Sequence, residues 1–465
     1  MGRQLSSVPA EHPSSPTLGM QHGPRNETRL LPYWLSIIVP PSRRPPGNKG
    51  TGLGVSPPVL SCSGCCCGMN EQPVYLTYFG TFFSLFFFYH RLPSNSVCTA
   101  SQILTTVMES KLPDEMKAVI IQGRGQAAIT TSALPKLRDG YILVKIAAVA
   151  INPSDWKHVD FMWVGDPTGT RPGLEYAGVV VDVGPGVDKD FKAGDRVFGI
   201  INGSNVRQKE DGAFAEYAVA KAALQMKIPD HVDDTEAAAI TSGLVAVGQG
   251  LYQALELPLP TSPSPEPIPL LIYGGSTASG IMGIQFAKLS NCTVVATCSP
   301  KNFDYVKSLG ADFCVDYRAE DCAEQIKAFT KGRLRHAWDC IATAQSARIC
   351  AAAMSIRGGH YSSLLYLVPS IVKKINPKIN CSTTLGYTIL GETIEKETVI
   401  EPRPDDYEFG KMFWGVSEKL LQEDKFRPVR QIINEGGDGL EGVLHGIKYL
   451  KQGNVSAGKL VYTIN

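Results

Sequence analysis

Leu270-Leu-Ile-Tyr-Gly-Gly-Ser-Thr-Ala-Ser-Gly-Ile-Met-Gly-Ile-Gln-Phe-Ala-Lys288 reads as a buried strand over 270–273, a glycine-rich turn, and a helix carrying Ile281, Ile284, Phe286, Ala287 and Leu289. A second strand follows, Thr293-Val-Val-Ala-Thr297. Strand, glycine turn, helix and strand form the unit that holds a dinucleotide pyrophosphate. The helix N-terminus turns unpaired N–H groups and a positive dipole end toward phosphate. Glycine lets the backbone approach without a Cβ in the way. The turn here is Gly-Gly-Ser-Thr-Ala-Ser-Gly, not a strict GxGxxG, so alone it fits a nucleotide site and an ordinary strand-to-helix turn equally well. The hydroxyls of Ser276, Thr277 and Ser279 are expected to donate to phosphate oxygens.

Downstream, strands and helices alternate. Helices are expected over 302–309, 321–330 and 346–354, and strands over 313–317, 337–341 and 358–364. Units of this length imply a parallel, doubly wound sheet. Helices over 407–422 and 439–451 and a strand over 458–464 close the chain. Upstream, short strands with glycine turns run from Met116, through a strong pattern over 141–151, to about residue 219. Their spacing suggests a small, partly open barrel. Residues 152–157 read as a polar turn in which Pro153 stops the strand. Asp233 is a candidate N-cap. A proline-rich loop over 258–269 leads into the glycine-turn strand.

At 465 residues the chain has room for two domains and a sizeable core. Its 43% hydrophobic and 19% charged content is ordinary for a soluble α/β protein. A formal net charge of +1 gives no reason to expect nucleic acid or an anionic membrane as partner. The 12 cysteines do not form a disulfide framework. Cys292, Cys298, Cys314 and Cys340 stand singly in apolar segments, as buried free thiols of an intracellular, cytoplasmic protein do. Cys62, Cys65, Cys66 and Cys67 cluster, but without a second Cys or His pair at a spacing that suits a metal. Residues 1–107 differ from all that follows, being rich in Pro, Ser, Gly and Arg. An aromatic run over 74–89 lies at the short limit for a membrane span. Anchor, disordered leader and upstream sequence translated in error all fit, and the reading adopted is the last.

Several quoted elements occur together in one family. They are Asn152-Pro-Ser-Asp155, Gly173-Leu-Glu-Tyr-Ala-Gly178, Gly194-Asp-Arg-Val-Phe-Gly199, the glycine turn, and Gly458-Lys-Leu-Val461. In this order they resemble the medium-chain dehydrogenase/reductase superfamily over about residues 116–465. Tyr273-Gly-Gly-Ser-Thr-Ala-Ser279, Ala296-Thr-Cys-Ser-Pro-Lys-Asn-Phe303, Asp316-Tyr-Arg318 and Gly358-Gly-His-Tyr361 are similar to the fungal trans-acting enoyl reductases. The resemblance implies an α/β protein, with a GroES-like β-rich catalytic domain and a Rossmann doubly wound parallel-sheet domain. The expected extents are 116–257 for the first part of the catalytic domain, 270–395 for the Rossmann domain, and 396–465 for a return to the catalytic domain. It also implies a monomer working beside a polyketide synthase, or a synthase–peptide synthetase hybrid, on a carrier-bound substrate.

Zinc-dependent members of the superfamily carry a His where this chain has Leu174, and leucine cannot ligate zinc. No four-cysteine cluster falls inside the barrel, so no metal is expected. Reduction of a C=C conjugated to a carbonyl fits a metal-free site. After the second Rossmann strand, Ser299, Pro300, Lys301 and Asn302 stand where NAD-specific enzymes carry an acid. Donors in place of a carboxylate favour NADPH, although the same residues also read as an exposed turn.

The resemblance carries roles to particular residues. Ser154, Asp155, Trp156 and Lys157 match a loop beside the nicotinamide. Lys157 is the catalytic candidate, polarising a carbonyl or donating a proton through water. Ser276, Thr277, Ala278 and Ser279 match the pyrophosphate turn, and Tyr317 a contact near the adenosine. Leu364 and Leu365 match a loop over the nicotinamide, and Ser456 and Ala457 a late cofactor contact. Gly248, Gln249, Gly250, Leu251, Tyr252, Gln253, Ala254 and Leu255 match one wall of an acyl channel. Thr388, Ile389, Leu390, Gly391 and Glu392 match the other. At Val247, where a related enzyme keeps a hydroxyl, this chain has only an aliphatic side chain, which leaves water or the cofactor ribose hydroxyl able to supply the proton. Three functions stay open: an NADPH-dependent trans-acting enoyl reductase, a stand-alone quinone or enone reductase, and a non-catalytic NADPH-binding scaffold.

Overall fold

The computed structural model describes residues 112–161, 165–367, 369–396 and 398–464. The expectations for residues 1–107, including the cysteine cluster and the aromatic run, lie outside the described residues. Among the described residues no helix is long and apolar enough to cross a membrane.

The glycine-turn strand, Ile268–Tyr273, lies inside a six-stranded sheet whose pairings are all parallel. It is flanked by Cys292–Cys298 on one side and His336–Asp339 on the other. Phe313–Asp316 lies beyond the first of these, and Gly359–Ser363 and Ile379–Thr383 lie beyond the second. The chain thus winds outward one way, returns to the middle, and winds out the other way. That is the doubly wound order of a Rossmann sheet, and the reversal leaves a crevice at the C-terminal ends of the two central strands. Both faces are covered, so the central strands are apolar throughout: Leu270, Leu271 and Ile272 are all buried.

A seven-stranded, largely antiparallel sheet forms the second layer system. Its long strand, Tyr141–Ala150, pairs with Glu175–Val183 along one edge. Its other edge is shared by Tyr217–Lys221 and the C-terminal Lys459–Thr463. Register shifts at Leu143/Val144 and Ile146/Ala148 bend it so that one strand serves both partners. The sheet ends at Gln431–Ile433 on one side and Gln225–Lys227 on the other, as an open barrel would. The last described strand therefore belongs with the first half of the chain. The helix Pro404–Gln422 packs here too, with Trp414 Nε1 donating to the Leu224 carbonyl at 2.8 Å.

Two local readings change. Residues 152–157 are not a turn: Pro153–Val159 is a helix. Proline at a first helical position removes only an N–H that has no partner there. The Asn152 N–H donates to Asp155 Oδ2 at 2.6 Å, which fixes the start. Gly248–Ala254 continues the preceding helix Thr241–Val247 as a π-helix. Asp233 caps its helix as expected, accepting from the Glu236 N–H at 2.8 Å.

Candidate functional site

A cavity of about 530 Å³ opens beside the glycine turn. Its first wall is the turn itself. Gly274 has φ +89°, a conformation open mainly to glycine. A Cβ on Gly280 would lie 2.3 Å from the Gly274 carbonyl oxygen, so the helix can begin this close to the strand only without a side chain there. Thr277 is the N-cap, its Oγ1 accepting from the Gly280 N–H at 3.0 Å. The same hydroxyl donates to the Gly274 carbonyl at 2.8 Å. The Thr277 side chain thus braces the backbone of the turn. Thr277, Ala278 and Ser279 all line the cavity.

The second wall is the start of the helix Pro153–Val159, which contributes Ser154, Lys157 and His158. Burial pulls the Lys157 ammonium below the usual lysine range. His158 is driven well down by burial, and also by the positive charges of Lys396 and Lys157. Asp155 and Trp156 do not line the cavity. Asp155 is fully buried, and its carboxylate serves the helix start. Burial first, then the Glu175 charge, pushes Asp155 up to about 7, against the backbone hydrogen bonds that favour the ionised form. Trp156 packs on the core of the open barrel.

Leu364 and Leu365 contribute a third side, with Cys340 and Ile341 from the neighbouring strand end. Asp339 ties these together. Its carboxylate accepts from Ser346 Oγ at 2.5 Å, Tyr361 Oη at 2.8 Å, and the N–H groups of Ile341 and Ala342 at 3.0 and 2.8 Å. The Leu364 N–H donates to the Asp339 carbonyl at 3.2 Å.

The expected acyl-channel segments fall elsewhere. Of residues 248–255 only Gln249 lines the cavity. A Cβ on Gly250 would meet Trp338 Nε1 at 2.2 Å, and one on Gly248 would meet Phe413 at 2.8 Å. These glycines admit large core side chains. Leu251 and Leu255 lie in the main core, and the Tyr252 hydroxyl bonds Ser290 Oγ at 3.0 Å. Gln253 Nε2 donates to Asp406 at 3.2 Å, and Ala254 closes the π-helix. None of residues 388–392 lines the cavity either. Thr388 accepts from Gln249 Nε2 at 2.9 Å, Ile389 and Leu390 are in the core, and Gly391 caps the 3₁₀ turn Gly386–Leu390 at φ +64°. Glu392 pairs with Lys221 at 2.7 Å and accepts from the Tyr141 hydroxyl. The cavity wall comes instead from Thr384, Leu385, Gly386, Tyr387 and Lys396. Val247 is buried in the core, whereas Ser242, Val245 and Ala246 of the same helix face the cavity.

The residues expected at the adenosine end stand apart from the cavity. Pro300–Asn302 is a 3₁₀ turn immediately after the strand Cys292–Cys298, with Ser299 before it. Asn302 Nδ2 lies 3.3 Å from Ser456 Oγ, so two groups 154 residues apart meet. Ala457 is buried beside Ser456 with φ +53°. The Tyr317 ring centroid is 6.5 Å from that of Tyr273, at the end of the glycine-turn strand. Ser276 lies in the turn between Gly275 and Thr277.

Behind the cavity is a buried polar cluster that sequence reasoning missed. Glu175 is fully buried and paired with the buried Lys459. Its carboxylate also accepts from Asn152 Nδ2 at 2.7 Å, the Ser242 N–H at 2.8 Å and Ser242 Oγ at 3.2 Å. Asn152 and Ser242 both line the cavity. The Lys of Gly458-Lys-Leu-Val461 and the Glu of Gly173-Leu-Glu-Tyr176 are thus one unit. Both residues open their strands, each a charged side chain leading straight into an apolar run, which was the available signal.

The chain matches the family models described as "Alcohol dehydrogenase GroES-like domain" over residues 138–230 and "Zinc-binding dehydrogenase" over residues 278–363. It is 44% identical to the trans-enoyl reductase resD of Aspergillus sclerotiorum, over 75% of this chain and 100% of that one. It is 39% identical to the trans-enoyl reductase ACTTS2 of Alternaria alternata, over 75% of this chain and 99% of that one. Among solved structures, the CurK enoyl reductase shares the fold at a TM-score of 0.61 and 14% identity, covering 76% of this chain and 100% of that one. An alcohol dehydrogenase superfamily protein from Novosphingobium aromaticivorans does so at 0.62 and 22%, covering 75% and 100%.

Proposed function

Since the chain belongs to the trans-enoyl reductases of the medium-chain dehydrogenase/reductase superfamily, we propose that it uses NADPH to reduce the α,β-double bond of a carrier-protein-bound polyketide intermediate. It is an oxidoreductase that works with a nicotinamide cofactor. The observation that carries the finer reading is the cavity: the start of the glycine-turn helix, Lys157, and an apolar lining that includes Leu174, Ile200, Leu364 and Leu385 face one space.

The residues present suit the cofactor. The Gly274–Gly280 approach leaves a cradle that a Cβ would fill, at a helix N-terminus and at the sheet's switch point. Ala278 and Ser279 would hold the pyrophosphate, Ser299, Lys301 and Asn302 the 2′-phosphate, and Leu364 and Leu365 the nicotinamide. Tyr317, Ser456 and Ala457 belong to its outer end in this reading. When bound, the reduced nicotinamide supplies hydride to the β-carbon. Lys157 stabilises charge gathering on the thioester oxygen. The apolar walls keep water from the enolate, which strengthens that interaction.

No metal takes part in this reading. Leu174 presents hydrocarbon to the cavity where zinc-dependent relatives carry a ligand. Among the described residues no group of three or more His, Cys, Asp or Glu is placed to hold a metal. The partner in this reading is a polyketide synthase or a synthase–peptide synthetase hybrid, met in the cytoplasm by a monomer.

The test is NADPH oxidation by purified protein with a crotonyl-type thioester and, separately, with quinones. Turnover on the thioester alone, unaffected by a chelator, is the expected result. Turnover on quinones alone makes the protein a stand-alone quinone reductase. NADPH binding without oxidation by either overturns the enzymatic reading. Light scattering checks the monomer.

A further inference from the structure

Reduction of an enoyl thioester needs a proton at the α-carbon as well as a hydride at the β-carbon, and the position expected to carry a hydroxyl is Val247, which is buried in the core. The cavity lining offers few acids in its place. Cys340 is raised well above the ordinary thiol range by burial, and so is the Tyr387 phenol above its own, chiefly for the same reason. His158 is held neutral by burial and by two neighbouring lysines. The lining hydroxyls, among them Ser154, Ser242, Ser279 and Thr384, are alcohols that do not titrate near neutral pH, and of the groups that can exchange a proton there two ammonium groups remain, Lys157 and Lys396.

They sit differently. Lys157 follows Trp156 on the capped helix, its Nζ 5.6 Å from that ring centroid. Lys396 follows the two-residue strand Ile394–Glu395 and arrives at the cavity from the segment that also brings Tyr387. Its Nζ lies over the Tyr387 ring, 4.7 Å from the centroid, and 3.5 Å from the Ser204 carbonyl oxygen. The Tyr387 hydroxyl is 3.3 Å from His158 Nε2, so the ring beneath the ammonium is itself fixed. Among the described residues no carboxylate is paired with Lys396.

We propose that Lys396 is the acid that returns the proton to the α-carbon, while Lys157 serves the thioester oxygen. This rests on the enoyl-reduction reading above. As hydride bonds to the β-carbon, the C=C π pair moves to the α-carbon and carbonyl oxygen as an enolate. An N–H bond of the Lys396 ammonium then breaks, its proton bonds to the α-carbon, and the neutral amine is recharged from solvent. NADP⁺ and the saturated thioester leave. The face of the Tyr387 ring holds the cation without neutralising it. Burial pulls Lys396 down to about 8, which matches an acid working near neutral pH. Of the titratable groups near it, His158 on the capped helix feels its charge and Tyr387 lies beneath it, while Lys157 lines the same cavity.

The experiment follows NADPH oxidation with a 2-methylcrotonyl thioester in H₂O and D₂O, for the wild type, Lys396→Met and Lys396→Arg. The wild type is expected to lose kcat as the pH rises through about 8, because only the ammonium form donates. It should place solvent deuterium on one face of the α-carbon. Lys396→Met should lower kcat by roughly 100-fold or more, remove that alkaline limb, and give both α-configurations. NADPH affinity, read by fluorescence titration, should hold. Lys396→Arg keeps a cation on the Tyr387 ring but cannot give up its proton, so it should fail in the same way if Lys396→Met does not fold. An active wild type with either variant retaining full kcat, the alkaline limb and a single α-configuration overturns Lys396 alone. A wild type that turns over no thioester overturns the enoyl reading and this proposal with it.

Discussion

The glycine-turn wall of the cavity and the wall formed by residues 384–387 with Lys396 face the same space, yet they are specified in opposite ways. The first is set by backbone. Gly274 needs its positive φ, and Gly280 sits where any Cβ meets the Gly274 carbonyl at 2.3 Å. Such constraints can be met only by glycine, so they mark the sequence locally. The second wall is set by side chains meeting across the fold. Tyr387 touches His158, 229 positions away, and Lys396 reaches the Ser204 carbonyl, 192 positions away. Nothing in Thr384-Leu-Gly-Tyr387 announces either contact. A wall held by backbone tolerates change at its other positions, whereas one held by side chains depends on each of them.

The strongest test of this contrast lies behind both walls, in the Glu175–Lys459 pair. Glu175 is fully buried and Lys459 is 3% exposed. Lys459→Met leaves a buried carboxylate without its counter-charge, and should cost about 3–5 kcal/mol in denaturant unfolding. The double variant Glu175→Leu with Lys459→Met should recover much of that loss, because the orphaned charge goes too. It should not recover turnover, since Glu175 also holds Asn152 and Ser242 at the cavity edge. Full recovery of both would show that the pair positions nothing.

A smaller effect is expected at the glycine-turn wall. Gly280→Ala must push the helix start away from the strand, at about 1–3 kcal/mol of stability. The distinguishing result is loss of NADPH affinity by fluorescence titration, with the unfolding slope unchanged. Ser279→Ala on the same turn should leave stability unaltered. A Gly280→Ala protein that binds NADPH as the wild type does would break the claim that backbone approach defines this wall.

The same division explains what the sequence disclosed. The doubly wound sheet and the open barrel were readable because period and punctuation repeat along the chain, from Leu270-Leu-Ile-Tyr273 onward. Lys157, Ser154, Ala278, Ser279, Leu364 and Leu365 were placed by motif resemblance, and all of them line one cavity. The helix Pro153–Val159 was missed because proline was taken as a stop, whereas at a helix start it costs nothing. The segments expected to line the acyl channel do not, Gln249 apart, line this cavity, for a subtler reason. The resemblance put residues 248–255 on a channel wall, but the space beside Gly248 and Gly250 is filled by Phe413 and Trp338 from a distant helix and strand. Sequence marks where space is needed and not what occupies it.

At the outer end the expected effect shrinks further, because Lys301 is exposed. Lys301→Glu should raise the NADPH dissociation constant relative to that of NADH by roughly tenfold, about 1.4 kcal/mol, through repulsion of the 2′-phosphate. Asn302 is tied to Ser456 and should matter less on its own. A variant with unchanged preference would move the discrimination away from the turn after Cys298 and leave that turn as a simple helix lead-in.

The smallest effect decides between the two placements of the acyl channel. Thr388→Val removes the acceptor for Gln249 Nε2 while keeping the shape of the side chain, and should cost about 1 kcal/mol of stability. If the cavity wall ends at Tyr387, kcat/KM for short and long enoyl thioesters should stay together in this variant. Leu385→Ala, which enlarges the cavity from its lining, should separate them, because added room at an apolar wall is felt only by chains long enough to reach it. A Thr388→Val protein that discriminates by chain length, beside a Leu385→Ala protein that does not, would mean that the segment from Thr388 opens toward substrate when the carrier docks, and that the residue-by-residue resemblance located the channel better than the cavity did.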